Sequence, residues 1–244
     1  MQRRSLIAVA ASLSALPALS ALPVSTARAQ AAKSDAKPGS GPSSPRSFAA
    51  DTTFFIFLET GRPTPDDKAA VQAMQRGHLD NFKRLFAEGK LLAAGPLRDP
   101  SRAKRGIVVV KAPSRQVLMN YFEPDAYVRE GYMTVDAQPA VAHQGLNHIG
   151  IDPDAGIEEH RIVLFSRADE KDKAGVPVFL QRALDDGVIG AWYSLEDGPI
   201  GEVVFMRGTD ETALRKAMVE YPGLSDQRVT MRIWGQWLGK GVLK

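Results

Sequence analysis

One succession of elements, strand–helix–strand–strand–helix–strand, can be read twice along this chain, and that duplication limits the folds open to it. Residues 53–58 run Thr-Phe-Phe-Ile-Phe-Leu, a continuous β-prone stretch that reads as a buried strand. Thr64 as N-cap, Pro65 at the first helical position, and Asp66 and Asp67 at the positive dipole end predict the start of a helix. Val71, Met74, His78, Phe82 and Leu85 then recur at three- and four-residue steps on one apolar face, and Gly89 closes the helix. Strands are predicted over 91–97, 106–111 and 132–142, with a second helix over 114–123. The order returns with a strand over 161–165 and a helix over 175–186, whose Val176, Phe179, Leu180, Ala183 and Leu184 face inward ahead of Gly187. Strands over 188–195 and 202–207, a helix over 210–220 opened by Thr209, Asp210 and Glu211, and a strand over 229–238 complete it.

This is the β-α-β-β-α-β order of a ferredoxin-like unit, so the predicted class is α+β with two such repeats. A four-stranded sheet with both helices on one face leaves its other face to be covered. Two units in one chain cover each other, and we expect them to pack sheet to sheet as an α+β barrel built within the chain. The domain reading is 52–142 for the first unit, a glycine-bearing connector over 143–160, and 161–244 for the second.

The N-terminal residues read as an address. Arg3 and Arg4 precede an apolar stretch from Leu6 to Val24, and Ala27-Arg28-Ala29 gives the small-x-small pattern of a signal-peptide cleavage site. Residues 1–29 are therefore expected to be a signal peptide. Arg3-Arg4-Ser5-Leu6-Ile7 also fits the twin-arginine form, so both the Sec and the twin-arginine routes stay open, to a periplasmic or secreted location. Pro17 and Pro23 make the stretch a poor membrane span, and no stable membrane insertion is expected after cleavage. Residues 30–51, rich in Ala, Ser, Pro and Gly, read as a flexible linker. The chain has no cysteine, so its stability must come from its own core.

The net charge of +3 belongs to the leader: without its three arginines the balance is zero. Nothing in the charge argues for nucleic acid. No glycine-rich phosphate loop, nucleotide fingerprint or G-x-S-x-G nucleophile motif is present. His143 and His148 stand five apart in the connector, a spacing unlike metal-ligand patterns, and His160 opens a strand; no metal or other cofactor is predicted.

Residues 54–142 carry a more specific pattern: His78-Leu79, Leu85, Glu88-Gly89-Lys90-Leu91-Leu92-Ala93-Ala94-Gly95-Pro96, and Asp125-Ala126-Tyr127-Val128 with Gly131 behind. This stretch resembles the YCII-related family of the dimeric α+β barrel superfamily, in which a helix histidine, a G-[KR]-L-L-x-A-G-P strand and an Asp-Pro-[FY]-V segment recur. Ala126 stands where the family usually has proline. The resemblance implies the fold and a His78/Asp125 pair in a cleft, without a settled reaction; some relatives in the superfamily act on lactones. The second half does not carry the pair: Val176 falls at the histidine's counterpart, and Glu220, Tyr221 and Pro222 surround the aspartate's.

On chemistry, two readings of His78 stand side by side. It is a general base, since imidazole titrates near neutrality, or a hydrogen-bonded core histidine. Asp125 is either the carboxylate that fixes its tautomer or a cap after Pro124. Tyr127 and Arg62 are the candidate substrate-binding residues, as oxyanion donor and carboxylate clamp, against the plainer readings of core aromatic and solvated loop arginine. Trp192, Trp234 and Trp237 either line a hydrophobic pocket or belong to the core. A small-molecule enzyme using the pair for proton transfer or hydrolysis, and a non-catalytic ligand-binding or assembly module, are the two functions admitted. The partner expected is a small molecule, and a homodimer is admitted as well.

Overall fold

A computed structural model describes residues 51–167 and 174–244; the expected signal peptide and nearly all of the expected linker lie outside them. The described elements are β1 (Thr52–Thr60), α1 (Lys68–Ala87), β2 (Leu91–Arg98), β3 (Lys104–Ala112), α2 (Arg115–Asn120), α3 (Ala126–Arg129), β4 (Met133–Gln144), β5 (Ile157–Arg167), α4 (Val176–Asp185), β6 (Ile189–Leu195), β7 (Ile200–Met206), α5 (Glu211–Ala217) and β8 (Val229–Gly239).

The eight strands close into one antiparallel barrel in the order β1-β3-β2-β8-β5-β7-β6-β4. Each half of the chain supplies four neighbouring strands, β4-β1-β3-β2 and then β8-β5-β7-β6. The halves do more than face each other. Two seams of main-chain pairing join their edges: β2 to β8, with Leu97 opposite Gln236 and Arg98 opposite Gly235, and β4 to β6, with Ala140 opposite Leu195 and Ala142 opposite Tyr193. Closure removes the unpaired edges that two stacked sheets would leave.

Both faces of β1, β6 and β7 are buried along most of their length, which is why β1 reads as a continuous apolar run and not as an alternating one. Phe55 and Phe57 point into the barrel, packed with Ile107, Val109, Leu164 and Phe205. Phe54, Ile56 and Leu58 point outward onto Leu85, Leu118 and Phe122 of the first half's helical layer. A third cluster, with Val163, Phe165, Leu180, Met206 and Leu214, fills the matching layer of the second half. Side chains fill the barrel interior, and the helices lie outside it.

Some local expectations are corrected. Helix α1 starts three residues later than Thr64 and Pro65 suggested, because the Asp67 carboxylate accepts from the amides of Ala69 and Ala70 and caps it. The C-terminal end is as expected, with Gly89 at φ +68°. The helix expected over 114–123 ends at Asn120, and Asp125 caps a separate turn, α3. Strands β4 and β5 run into the stretch read as connector, so His160 lies within β5 and does not open it. Among the described residues no helix is long and apolar enough to cross a membrane.

Candidate functional site

His78 sits on the buried face of α1 with Met74, Asn81 and Leu85. Asp125 is delivered from the other side of the helical layer, at the N-terminus of α3, because Asp125 is the residue that can cap that turn. The two side chains meet: His78 Nδ1 lies 2.5 Å from Asp125 Oδ2, with the histidine 8% and the aspartate 0% exposed. The other carboxylate oxygen, Oδ1, accepts from the backbone N–H of Tyr127 at 3.0 Å. Cap and histidine partner are thus one residue, each role taking one oxygen.

This arrangement sets the tautomer. Against an ionised carboxylate that already accepts a main-chain N–H, Nδ1 must donate, and Nε2 is left with its lone pair. Nε2 has no hydrogen-bond partner among the described residues, nor is it among the fully enclosed polar atoms that lack one. A bare, reachable Nε2 whose opposite nitrogen is held by a buried carboxylate can take a proton, and the carboxylate stabilises the resulting cation.

Two aromatic rings flank the imidazole. Phe82 lies 4.4 Å away, centroid to centroid, and Tyr127 meets it edge-on at 5.7 Å and 87°. The Tyr127 hydroxyl is directed to the Val71 carbonyl on α1, at 3.4 Å. Burial pushes that phenol above its usual range; Arg105 pulls the other way and Asp125 adds to the rise. Tyr127 therefore walls the site as a protonated aromatic, and its hydroxyl is turned to the helix backbone. Arg62 is not brought to the pair: its Nε donates to the Glu130 carbonyl at 2.6 Å, and its guanidinium lies 4.1 Å from the Tyr132 ring centroid.

Asn81 was not singled out in the sequence, although it falls one helical turn after His78 on the same face. It is buried, donates through Nδ2 to the Tyr121 carbonyl at 3.0 Å, and accepts from Arg84 at 2.8 Å, tying α1 to the chain leaving α2. The signal was a polar amide at a core-facing step, the same signal His78 gave.

In the second half, Val176 and Tyr221 are buried, and Tyr221 stacks on Phe165 at 3.7 Å. The polar group there is Glu202, 4% exposed within an otherwise apolar β7. Its carboxylate accepts from Trp192 Nε1 at 2.7 Å, from Ser194 Oγ at 2.6 Å and from Arg167 Nη2 at 3.3 Å. Trp192 thus belongs to the core on the helix side, whereas Trp237 lies under Arg98, 5.0 Å from guanidinium to ring centroid. Among the described residues no group of three or more His, Asp or Glu side chains is placed to hold a metal ion.

The eight strands close as an antiparallel barrel within a single chain. The chain is similar in fold to a candidate monooxygenase of Fusobacterium nucleatum subsp. nucleatum, at 8% identity and a TM-score of 0.50, over 80% of this chain and 97% of that one. A candidate monooxygenase of Lactobacillus acidophilus aligns at 11% identity and a TM-score of 0.47, over 80% and 98%. The siroheme decarboxylase NirDL aligns at 6% and 0.43, over 78% and 71%. No family model and no curated protein matches the sequence.

Proposed function

We propose that the protein is an exported, YCII-like small-molecule enzyme in which His78 acts as general base and Asp125 holds and charges it. The observation that carries this reading is the buried contact of Nδ1 with Oδ2, which leaves Nε2 as the free, basic nitrogen. The reaction class it suits is proton abstraction from a carbon beside a carbonyl, or from a water attacking a cyclic ester. Nε2 takes the proton, and Asp125 stabilises the imidazolium until the proton is returned to product. The strand order β4-β1-β3-β2 followed by β8-β5-β7-β6 supports two ferredoxin-like units, of which the first carries the pair. The motif from Glu88 to Pro96 supports the YCII assignment, and Arg3-Arg4 with Ala27-Arg28-Ala29 supports export.

The test is turnover of a panel of small lactones and enolisable carbonyl compounds by wild type and by His78→Asn, whose amide can still donate to Asp125. Loss of turnover with an unchanged melting temperature supports the base. Retained turnover rejects it. A non-catalytic ligand site is the second reading, favoured by the apolar flank of Phe82 and Tyr127; there, Asp125→Asn leaves ligand affinity nearly intact.

A further inference from the structure

A cavity of about 600 Å³ lies away from the His78 pair, between the end of β4 with the residues after it, α4, the start of β6 and Arg207. Its volume is that of a site for a small organic molecule and far exceeds what a bare ion needs. Arg207 and His148 line it, and neither side chain has a hydrogen bond or ion pair among the described residues. The acid on its wall, Asp185, is engaged by Gln181 Nε2 at 2.9 Å. Leu184 adds an apolar surface to the same wall.

The remaining wall is built rather than left to the surface. His143 stacks on Trp192, 3.7 Å between centroids and 14° between planes, and its Nε2 is 2.8 Å from Ser194 Oγ. The Ser194 hydroxyl donates to Glu202, as does Trp192 Nε1. Because the hydroxyl proton goes to the carboxylate, Oγ accepts from His143, so Nε2 of that ring is protonated and Nδ1 is bare. A solvent-facing histidine is thereby locked in plane and tautomer by a buried carboxylate two bonds behind it. Placement of that kind serves a ligand more readily than it serves the core.

We infer that this cavity binds a small organic carboxylate, with Arg207 as its anchor, Leu184 against its apolar part and the ring of His143 as its fixed wall. A guanidinium without a protein partner is the group best suited to a carboxylate, which it takes in a two-pronged contact. The site lies where the end of β4 meets α4 and β6 of the second half, its lining does not include the His78 pair, and it is independent of the reaction assigned to that pair.

The experiment uses the whole protein, with benzoate as probe and benzamide as its uncharged counterpart, read by the imidazole NMR signals. The chain has four histidines, so the signals are separable. Benzoate is expected to shift His143 and His148 saturably and to leave His78 in place, with benzamide at least tenfold weaker. Arg207→Ala, at an exposed and unpaired position, is expected to fold normally and to weaken benzoate at least tenfold, about 1.4 kcal/mol. Ser194→Ala is expected to mix the His143 tautomers and weaken benzoate as well. No saturable shift, equal binding of benzamide, or unchanged affinity in Arg207→Ala would overturn the proposal. Displacement of benzoate by an equal concentration of inorganic phosphate would overturn the organic-acid assignment.

Discussion

His78 and Asp125 stand 47 positions apart in sequence and 2.5 Å apart in the fold, and the aspartate that receives the imidazole is also the cap of α3. The proposed proton transfer and the local folding therefore rest on the same carboxylate. Asp125→Asn keeps an acceptor for the Tyr127 N–H but puts a neutral group against Nδ1. It is expected to cost about 1–3 kcal/mol, the range for a buried polar group left poorly paired. Asp125→Ala loses the cap too, adding about 0.5–2 kcal/mol. Urea unfolding of the two variants measures both steps, and equal stability of Asn and Ala would show that the cap contributes nothing.

The second-half ion pair is expected to be costly to break. Glu202 and Arg167 are both nearly fully buried, and Glu202 also receives Trp192 and Ser194. Arg167→Met or Glu202→Gln each leaves a buried charge short of its partner, at about 3–5 kcal/mol. The double variant should lose less than the sum of the two, which a thermal-denaturation cycle reads directly.

Gly95, within the Gly95-Pro96 motif, is demanded by packing at a seam. A Cβ there would run into the Trp237 carbonyl across the β2–β8 pairing. Gly95→Ala is expected to destabilise by about 1–3 kcal/mol through overpacking and to raise amide exchange at residues 97 and 236 first. Exchange that stays flat there would show that the seam tolerates the methyl.

Two groups contribute to the pH dependence of the fold at opposite ends. Burial alone would push the Asp99 carboxyl up. The Lys104 amide, the Ser101 hydroxyl and the amides of Ser101 and Ala103 outweigh it and hold the group below its usual range. Since the folded state binds that proton less readily, the stability Asp99 contributes is present above about pH 4 and fades as pH falls below it. Tyr193 works at the other end. Burial raises its phenol to about 12, against the opposing effect of the Leu146 N–H that its oxygen accepts at 2.7 Å. Its stability contribution is full below about pH 10 and is lost as pH rises toward 12. Tyr193→Phe should make the alkaline limb of a stability–pH curve shallower, with the buried Tyr221 phenol, also raised by burial, carrying the remainder, and Asp99→Asn should make the acid limb shallower.

The element types were legible because apolar runs and glycine stops are local signals: β1 announces itself, and Gly89 and Gly187 both adopt the positive φ expected after a helix. Starts were harder to read where two caps compete within four residues, as Thr64 and Asp67 do. The break between α2 and α3 was missed because an apolar spacing runs across it, while Pro124 and the Asp125 cap divide the backbone. The barrel follows from two sheets needing cover, but the edge pairing of β2 to β8 and β4 to β6 is a long-range relation that no local pattern carries. Of the candidate site, His78 and Asp125 were named from the motif, whereas the turn of Arg62 toward Glu130 and Tyr132 depends on a loop conformation. The His143–Ser194–Glu202 chain escaped notice although Glu202 is a lone acid in an apolar strand, because its partners come from two other strands.

The most direct test of the account is the ¹⁵N spectrum of the His78 ring at neutral pH, in wild type and in Asp125→Asn. The account predicts a protonated Nδ1 and a bare Nε2 in the wild type, with the two forms mixing in the variant. A ring protonated at Nε2 in the wild type, or one unchanged by the substitution, would contradict the claim that Asp125 prepares His78 as a base.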